Sequence, residues 1–199
     1  TAYSYGWRSQ EIIDKLRDAP PLTMDDAEQI FYDDTIRFAS DLVPILLKIK
    51  VSDPWVVEGQ RTLVGWDYSA SADSAAAAYF NVVCHNIFKL TFRDELPEEL
   101  WPEGGDRWYA VVTMLLEQTR NPWWDDVTTK DKIETRDDIL LAAMINARKE
   151  ITSLMVTSAL RKAASVASLS PICQVKTWLW CLRAPCAPSV LPARSSRST

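Results

Sequence analysis

Residues 75–90 read AAAAYFNVVCHNIFKL, and their spacing decides the fold class. Ala76, Phe80, Val83, Ile87 and Leu90 recur at steps of four and three, the period of one helix face rather than the alternation of a strand. Moving upstream, Val56 to Trp66 suits a short helix, and Phe38, Leu42, Ile45, Leu46 and Ile49 form a second helical stripe. Pro44 lies inside that stripe and should kink or split it. Thr23 is placed to open an earlier helix, with Asp25 and Asp26 in its first turn where the helix dipole favours anions. The first helix is expected over Trp7 to Leu16, stopped by Pro20-Pro21. Downstream, Trp108 to Glu117 carries Trp108, Val111, Val112, Leu115 and Leu116 on one side. Thr135 can cap a last long helix reaching about Lys162 on Leu140, Met144, Ala147, Ile151 and Leu154. No period-two run competes with these segments, so the fold class is mainly α.

The charge is split along the chain. Residues 1–150 hold all 27 acidic residues and 16 of the 22 basic ones, whereas 151–199 hold no acid at all. Three of the four cysteines and four of the eleven prolines also fall in that last stretch. This break predicts a helical part over 1–165 and an atypical tail over 166–199. A chain of 199 residues suits one medium domain. The net charge of −5 argues against nucleic acid as a partner, which needs a concentrated basic face. No run of about 18 apolar residues exists to span a membrane. The five glycines form no GxGxxG or P-loop string, so a phosphate cradle is not expected. Thr1–Arg8 is polar and aromatic, unlike a signal peptide, and a start without methionine suggests a fragment or a processed product.

The candidates for chemistry are few. Asp33-Asp34, Asp125-Asp126 and Asp137-Asp138 are acid pairs of the kind that bind metals, but adjacent residues do not share a helix face. Each pair adjoins an expected helix start, so capping is the expected role. His85, the one histidine, sits beside Cys84 in an apolar stretch and is expected to be a packed or partly exposed ring rather than a ligand. Cys173, Cys181 and Cys186 lack zinc-site spacing. Thr1 has the form of an N-terminal nucleophile with its own amine as base, although any truncation can leave a threonine first. Trp101 and Trp123-Trp124 are expected to pin loops to the core rather than to stack ligands.

A series of strings runs through the chain in order. It begins with Tyr5-Gly6-Trp7-Arg8-Ser9-Gln10-Glu11-Ile12, Leu22-Thr23-Met24-Asp25-Asp26, Tyr32-Asp33-Asp34 and Leu42-Val43-Pro44-Ile45-Leu46. Leu63-Val64-Gly65-Trp66-Asp67-Tyr68, Asp94-Glu95-Leu96-Pro97 and Trp101-Pro102-Glu103-Gly104-Gly105-Asp106-Arg107-Trp108 follow. Trp123-Trp124-Asp125-Asp126 and Glu134-Thr135-Arg136-Asp137-Asp138-Ile139-Leu140 close it. In this order and spacing the strings resemble the large β chain of the penicillin acylase (penicillin amidase) family, over about residues 3–162.

The resemblance implies an N-terminal-nucleophile amide hydrolase, secreted or periplasmic, whose precursor cleaves itself into a small α chain and a large β chain. Its helical segment would pack on an αββα core. The β chain's terminal serine attacks an amide carbonyl while its own α-amine takes the proton, so no histidine is needed. A backbone N–H and an asparagine hold the oxyanion. Substrates implied are small acylated amines, such as β-lactam side-chain amides or acyl-homoserine lactones. The serine, the asparagine and the calcium ligands have no counterparts among the matched strings, so no cofactor is expected in this segment, and calcium belongs to the full-length enzyme. The implied partners are the remainder of the β chain and the α chain, and the segment alone is expected to be inactive. One supporting position carries over: Arg8 matches an arginine near the family's active site, where its fixed charge suits the oxyanion or a substrate carboxylate. The plainer reading of Arg8 is a helix-start arginine paired with a surface acid. After about residue 163 the resemblance gives out, and Trp178-Leu179-Trp180 is followed by Cys181 in place of the family's glycine. The tail resembles translation in a shifted frame, with a foreign or disordered tail as the other reading. A non-catalytic helical interaction module is the alternative function.

Overall fold

The computed structural model describes residues 6–17, 21–102 and 104–167, with side chains to Ser158. The helix over the deciding stretch, α5, spans Ala75–Phe92 and buries eleven residues, among them Phe80, Val83, Ile87 and Phe92. Its burial extends nearly all round, because Ala77, Tyr79, Cys84 and Phe88 lie outside the predicted stripe and are also enclosed. Ser74 caps it by accepting from the Ala77 amide at 3.1 Å. There are six other α-helices among the described residues. In chain order they are α1 (Trp7–Arg17), α2 (Met24–Phe31), α3 (Arg37–Leu46), α4 (Pro54–Arg61), α6 (Asp106–Leu116) and α7 (Arg136–Ala167). Of these, α3, α4, α6 and α7 cover the sides of α5 with buried residues. Among the described residues there is no strand, only an isolated antiparallel bridge between Thr35 and Ser69. The expected mainly helical class therefore holds. The chain divides into two units between Val156 and Thr157. The sequence break near residue 165 lies in the second, and residues 168–199 of the expected tail lie outside the described residues.

Most helices appear where the spacing places them, and the differences have local causes. Pro44 does not split α3. It sits in the final turn, Leu46 ends the helix two residues later, and Ile49 falls in the turn beyond. The helix expected to reach Trp66 stops at Arg61. Asp53 caps it, Pro54 occupies its first turn, and tighter bonds then run from Leu63 to Gln60 and from Val64 to Arg61. Gly65, at φ +73°, turns the chain there. The last helix runs on to Ala167 rather than about Lys162, and Leu154, expected on its core stripe, is exposed. Thr135 does cap it: the Thr135 amide donates to Asp138 Oδ2 at 3.0 Å, and the Asp138 amide points back to Thr135 Oγ1.

Polar contacts fix how these helices meet. Tyr79 Oη on α5 donates to the Met144 carbonyl of α7 at 3.4 Å, and Asn86 donates to Glu150 at 3.1 Å. Arg148 of α7 donates to the Trp55 carbonyl of α4 and stacks over the Trp55 ring at 5.3 Å. At Gly59, α4 passes close to the Tyr79 ring of α5. A Cβ there would lie 2.8 Å from Cε2 of Tyr79, a ring that is 3% exposed.

Two outcomes follow from this packing. Gly59→Ala gains helix propensity of up to about 1 kcal/mol but forces the Tyr79 ring to move, which costs about 1–3 kcal/mol. A net loss on the order of 1 kcal/mol is expected in urea denaturation. The second concerns Asp138, whose pKa is lowered to about 2 by hydrogen bonds from Lys132 and Thr135. Its contribution to stability is complete above about pH 4 and is lost as pH falls towards 2. Asp138→Asn should therefore be less stable than wild type at neutral pH, with the gap closing by about pH 2 in thermal melts taken across that range.

Candidate functional site

A groove with a volume of about 200 Å³ lies where α1, the start of α3 and α6 meet. Trp7, Arg8 and Glu11 line it from α1, Thr35 to Phe38 from the entry to α3, and Asp106 and Tyr109 from α6. Its floor is aromatic. Phe38 and Tyr109 lie 4.8 Å apart by ring centroid, and Trp7 meets Phe38 edge-on at 6.2 Å. Trp7 Nε1 donates to the Asp106 carbonyl at 3.3 Å, which ties α1 to the first residue of α6. Burial pushes the Tyr109 phenol up to about 12, with neighbouring Cys84 and Asp106 adding to the shift, so the phenol is neutral at physiological pH.

The rim is charged. Arg37 reaches from α3 to Asp14 at 2.6 Å and to Glu11 at 3.4 Å. Arg8 reaches the other way. Its guanidinium donates to the Ile30, Phe31 and Asp33 carbonyls at 2.6, 2.9 and 3.0 Å, and lies 3.5 Å from the Asp33 carboxylate. The Ile30 and Phe31 carbonyls end α2, where no following turn supplies amides and where the dipole favours a cation. Asp33 is the meeting point. Burial pushes its carboxyl up, but hydrogen bonds from Lys15 and from the Thr35 hydroxyl and amide more than offset this and hold it below its ordinary value.

The residues singled out in the sequence do not converge on this groove, Arg8 excepted. Asp33 and Asp34 do not cap α3, whose N-cap Ile36 has no side-chain bond. They tie loops instead: Asp33 binds Thr35 and Lys15, and Asp34 accepts from the Ser69 hydroxyl at 2.8 Å. Asp125 and Asp126 likewise clasp the 125–134 loop, Asp125 accepting from the Glu134 amide and Asp126 from Thr128. Only at Asp137-Asp138 is the expected capping found, in Asp138. His85 is exposed. Cys84 is a buried free thiol whose pKa burial pushes far up, so it is no nucleophile. Trp124 is fully buried and donates to the Gln118 carbonyl, and Trp101 donates to the Leu96 carbonyl beneath Arg93, both in the expected role of loop pins. Thr1, Cys173, Cys181 and Cys186 lie outside the described residues. Among the described residues no three His, Cys, Asp or Glu side chains are grouped to hold a metal ion, and no helix is long and apolar enough to cross a membrane. Sequence reasoning missed Arg37, Glu11 and Lys15. The signal was present in Glu11, Asp14 and Lys15, which fall three and four apart on one face of α1.

The profile of the penicillin amidase family matches residues 1–180. The chain belongs to the penicillin amidase family. A search of curated proteins gives no match. The penicillin amidase match runs past residue 163, where the recognisable strings give out, and ends on Trp180, the last residue of the Trp-Leu-Trp string. Membership makes this an amidohydrolase-type sequence, with the groove of α1, α3 and α6 inside the matched region.

Arg8 gives the site's clearest test of geometry. Arg8→Ala removes the donors to the three carbonyls and should cost about 1–2 kcal/mol in urea denaturation, discounted for the side chain's exposure. Arg8→Lys should recover less than half of the loss, because an ammonium cannot fork across separate carbonyls.

Proposed function

We propose that the chain is the helical part of the large β chain of a penicillin acylase-type amidase, which hydrolyses the amide bond of a small acylated amine such as a β-lactam side-chain amide or an acyl-homoserine lactone. The observation that carries this reading is the penicillin amidase match over residues 1–180. In the complete enzyme this segment packs on an αββα core, and the attacking serine and the oxyanion asparagine come from the rest of the precursor. The small α chain and the remainder of the β chain are its partners, and the full protein works in the periplasm or is secreted. In this reading calcium belongs to the complete enzyme, with its ligands in the rest of the precursor. Residues 166–199 are the atypical tail by composition, without an acidic residue, and the family match covers its first part, to Trp180.

Arg8 is the supporting residue in this account. Three backbone carbonyls and Asp33 hold its guanidinium, so while α1 is docked it contributes a positive charge held in place at the groove rim. Such a charge suits a substrate carboxylate or a developing oxyanion without taking a proton, since the guanidinium stays charged throughout. In this reading the chain supplies walls and electrostatics, and the activated nucleophile, the terminal serine with its own amine, belongs to the rest of the β chain.

The reading is checked by release of free amine from a β-lactam side-chain amide and from an acyl-homoserine lactone. The complete precursor should release amine from one of them, and the 199-residue chain alone from neither. Turnover by the chain alone would overturn the assignment.

A further inference from the structure

α1 buries none of its residues and α2 none, against eleven buried in α5. Apolar burial therefore contributes little to holding these two helices. Their apolar attachment is the Trp7 ring against Phe38. Trp7 Nε1 adds one neutral hydrogen bond to the Asp106 carbonyl of α6, and charge does the rest. Arg37, on the buried helix α3, grips Asp14 and Glu11 of α1, and Lys15 of α1 pairs with Asp33 just beyond α2. Arg8 then joins the two helices to each other through the Ile30 and Phe31 carbonyls.

We propose that α1 and α2 form a charge-latched strap along the groove, fastened at Arg37, which releases as one unit while the helices around α5 stay folded. Single exposed ion pairs contribute little, but here several share Asp14, Glu11, Asp33 and Lys15, so they are lost together. Two consequences separate the strap from ordinary fraying. First, raising salt to about 1 M shortens the screening length to about 3 Å, which weakens the latch while leaving apolar burial around α5 intact. Second, the Arg8 contacts to α2 are short and join strap to strap, so they travel with it. Opening would lift the Trp7, Arg8 and Glu11 wall from the groove and expose Phe38 and Tyr109.

Amide hydrogen exchange on the full 199-residue chain tests this, followed over 7–17, 24–31 and 75–92 at about 50 mM and about 1 M sodium chloride. Exchange in α1 and α2 should rise together, on the order of tenfold, while α5 does not change. The proposal fails if α1 ignores salt, if α1 rises without α2, or if α5 rises equally. Arg37→Gln should show the fast exchange already at low salt and little further response. Wild-type protection in that variant at low salt would also sink the latch, and if the variant does not fold, the wild-type salt series decides.

Discussion

The enclosure of α5 is the constraint on which the other helices depend. A helix that is apolar nearly all round cannot stand in water, and eleven buried residues on eighteen positions require neighbours on several sides. α3, α4, α6 and α7 supply them with Phe38, Leu42, Val56, Val112, Leu140 and Met144. Gly59 lets α4 approach the Tyr79 ring, and the Tyr79 hydroxyl in turn reaches α7. Packing around α5 thus sets where α3 and α6 begin, and their first turns form the groove.

A different physics holds the near edge of that groove. α1 and α2 bring no buried side chain, and the polar contacts of Arg8, Arg37, Lys15 and Asp33 place them. One side of the groove is therefore rigid by packing, and the other is set by charge. A fixed guanidinium beside an aromatic floor is a chemically sensible surround for an acylated amine, which presents an apolar acyl group next to a polar amide.

The sequence displays the first kind of order far better than the second. The four-and-three spacing from Ala76 to Leu90 marks α5, because burial of a helix face writes itself into a local period. The true end of α4 is less visible, since it depends on the turn bonds that lead to Gly65 rather than on apolar spacing. The acid pairs show the limit most clearly. Asp138 caps its helix through a partner three residues away, which the local string reveals. Asp33 instead meets Lys15, eighteen positions earlier, and Asp34 meets Ser69, thirty-five later, and no local pattern predicts either. Arg8 was legible as a candidate through the family strings, whereas its carbonyl partners at the end of α2 required the fold.

In the proposed reading, these observations belong together because the chain is supporting architecture for an amide hydrolase whose attacking group is encoded beside it. Sequencing the genomic DNA on both sides of the coding region addresses this most directly. The account predicts an upstream stretch related to penicillin amidases, with a serine codon at a self-processing junction. Flanking DNA that encodes nothing related to that family would contradict it.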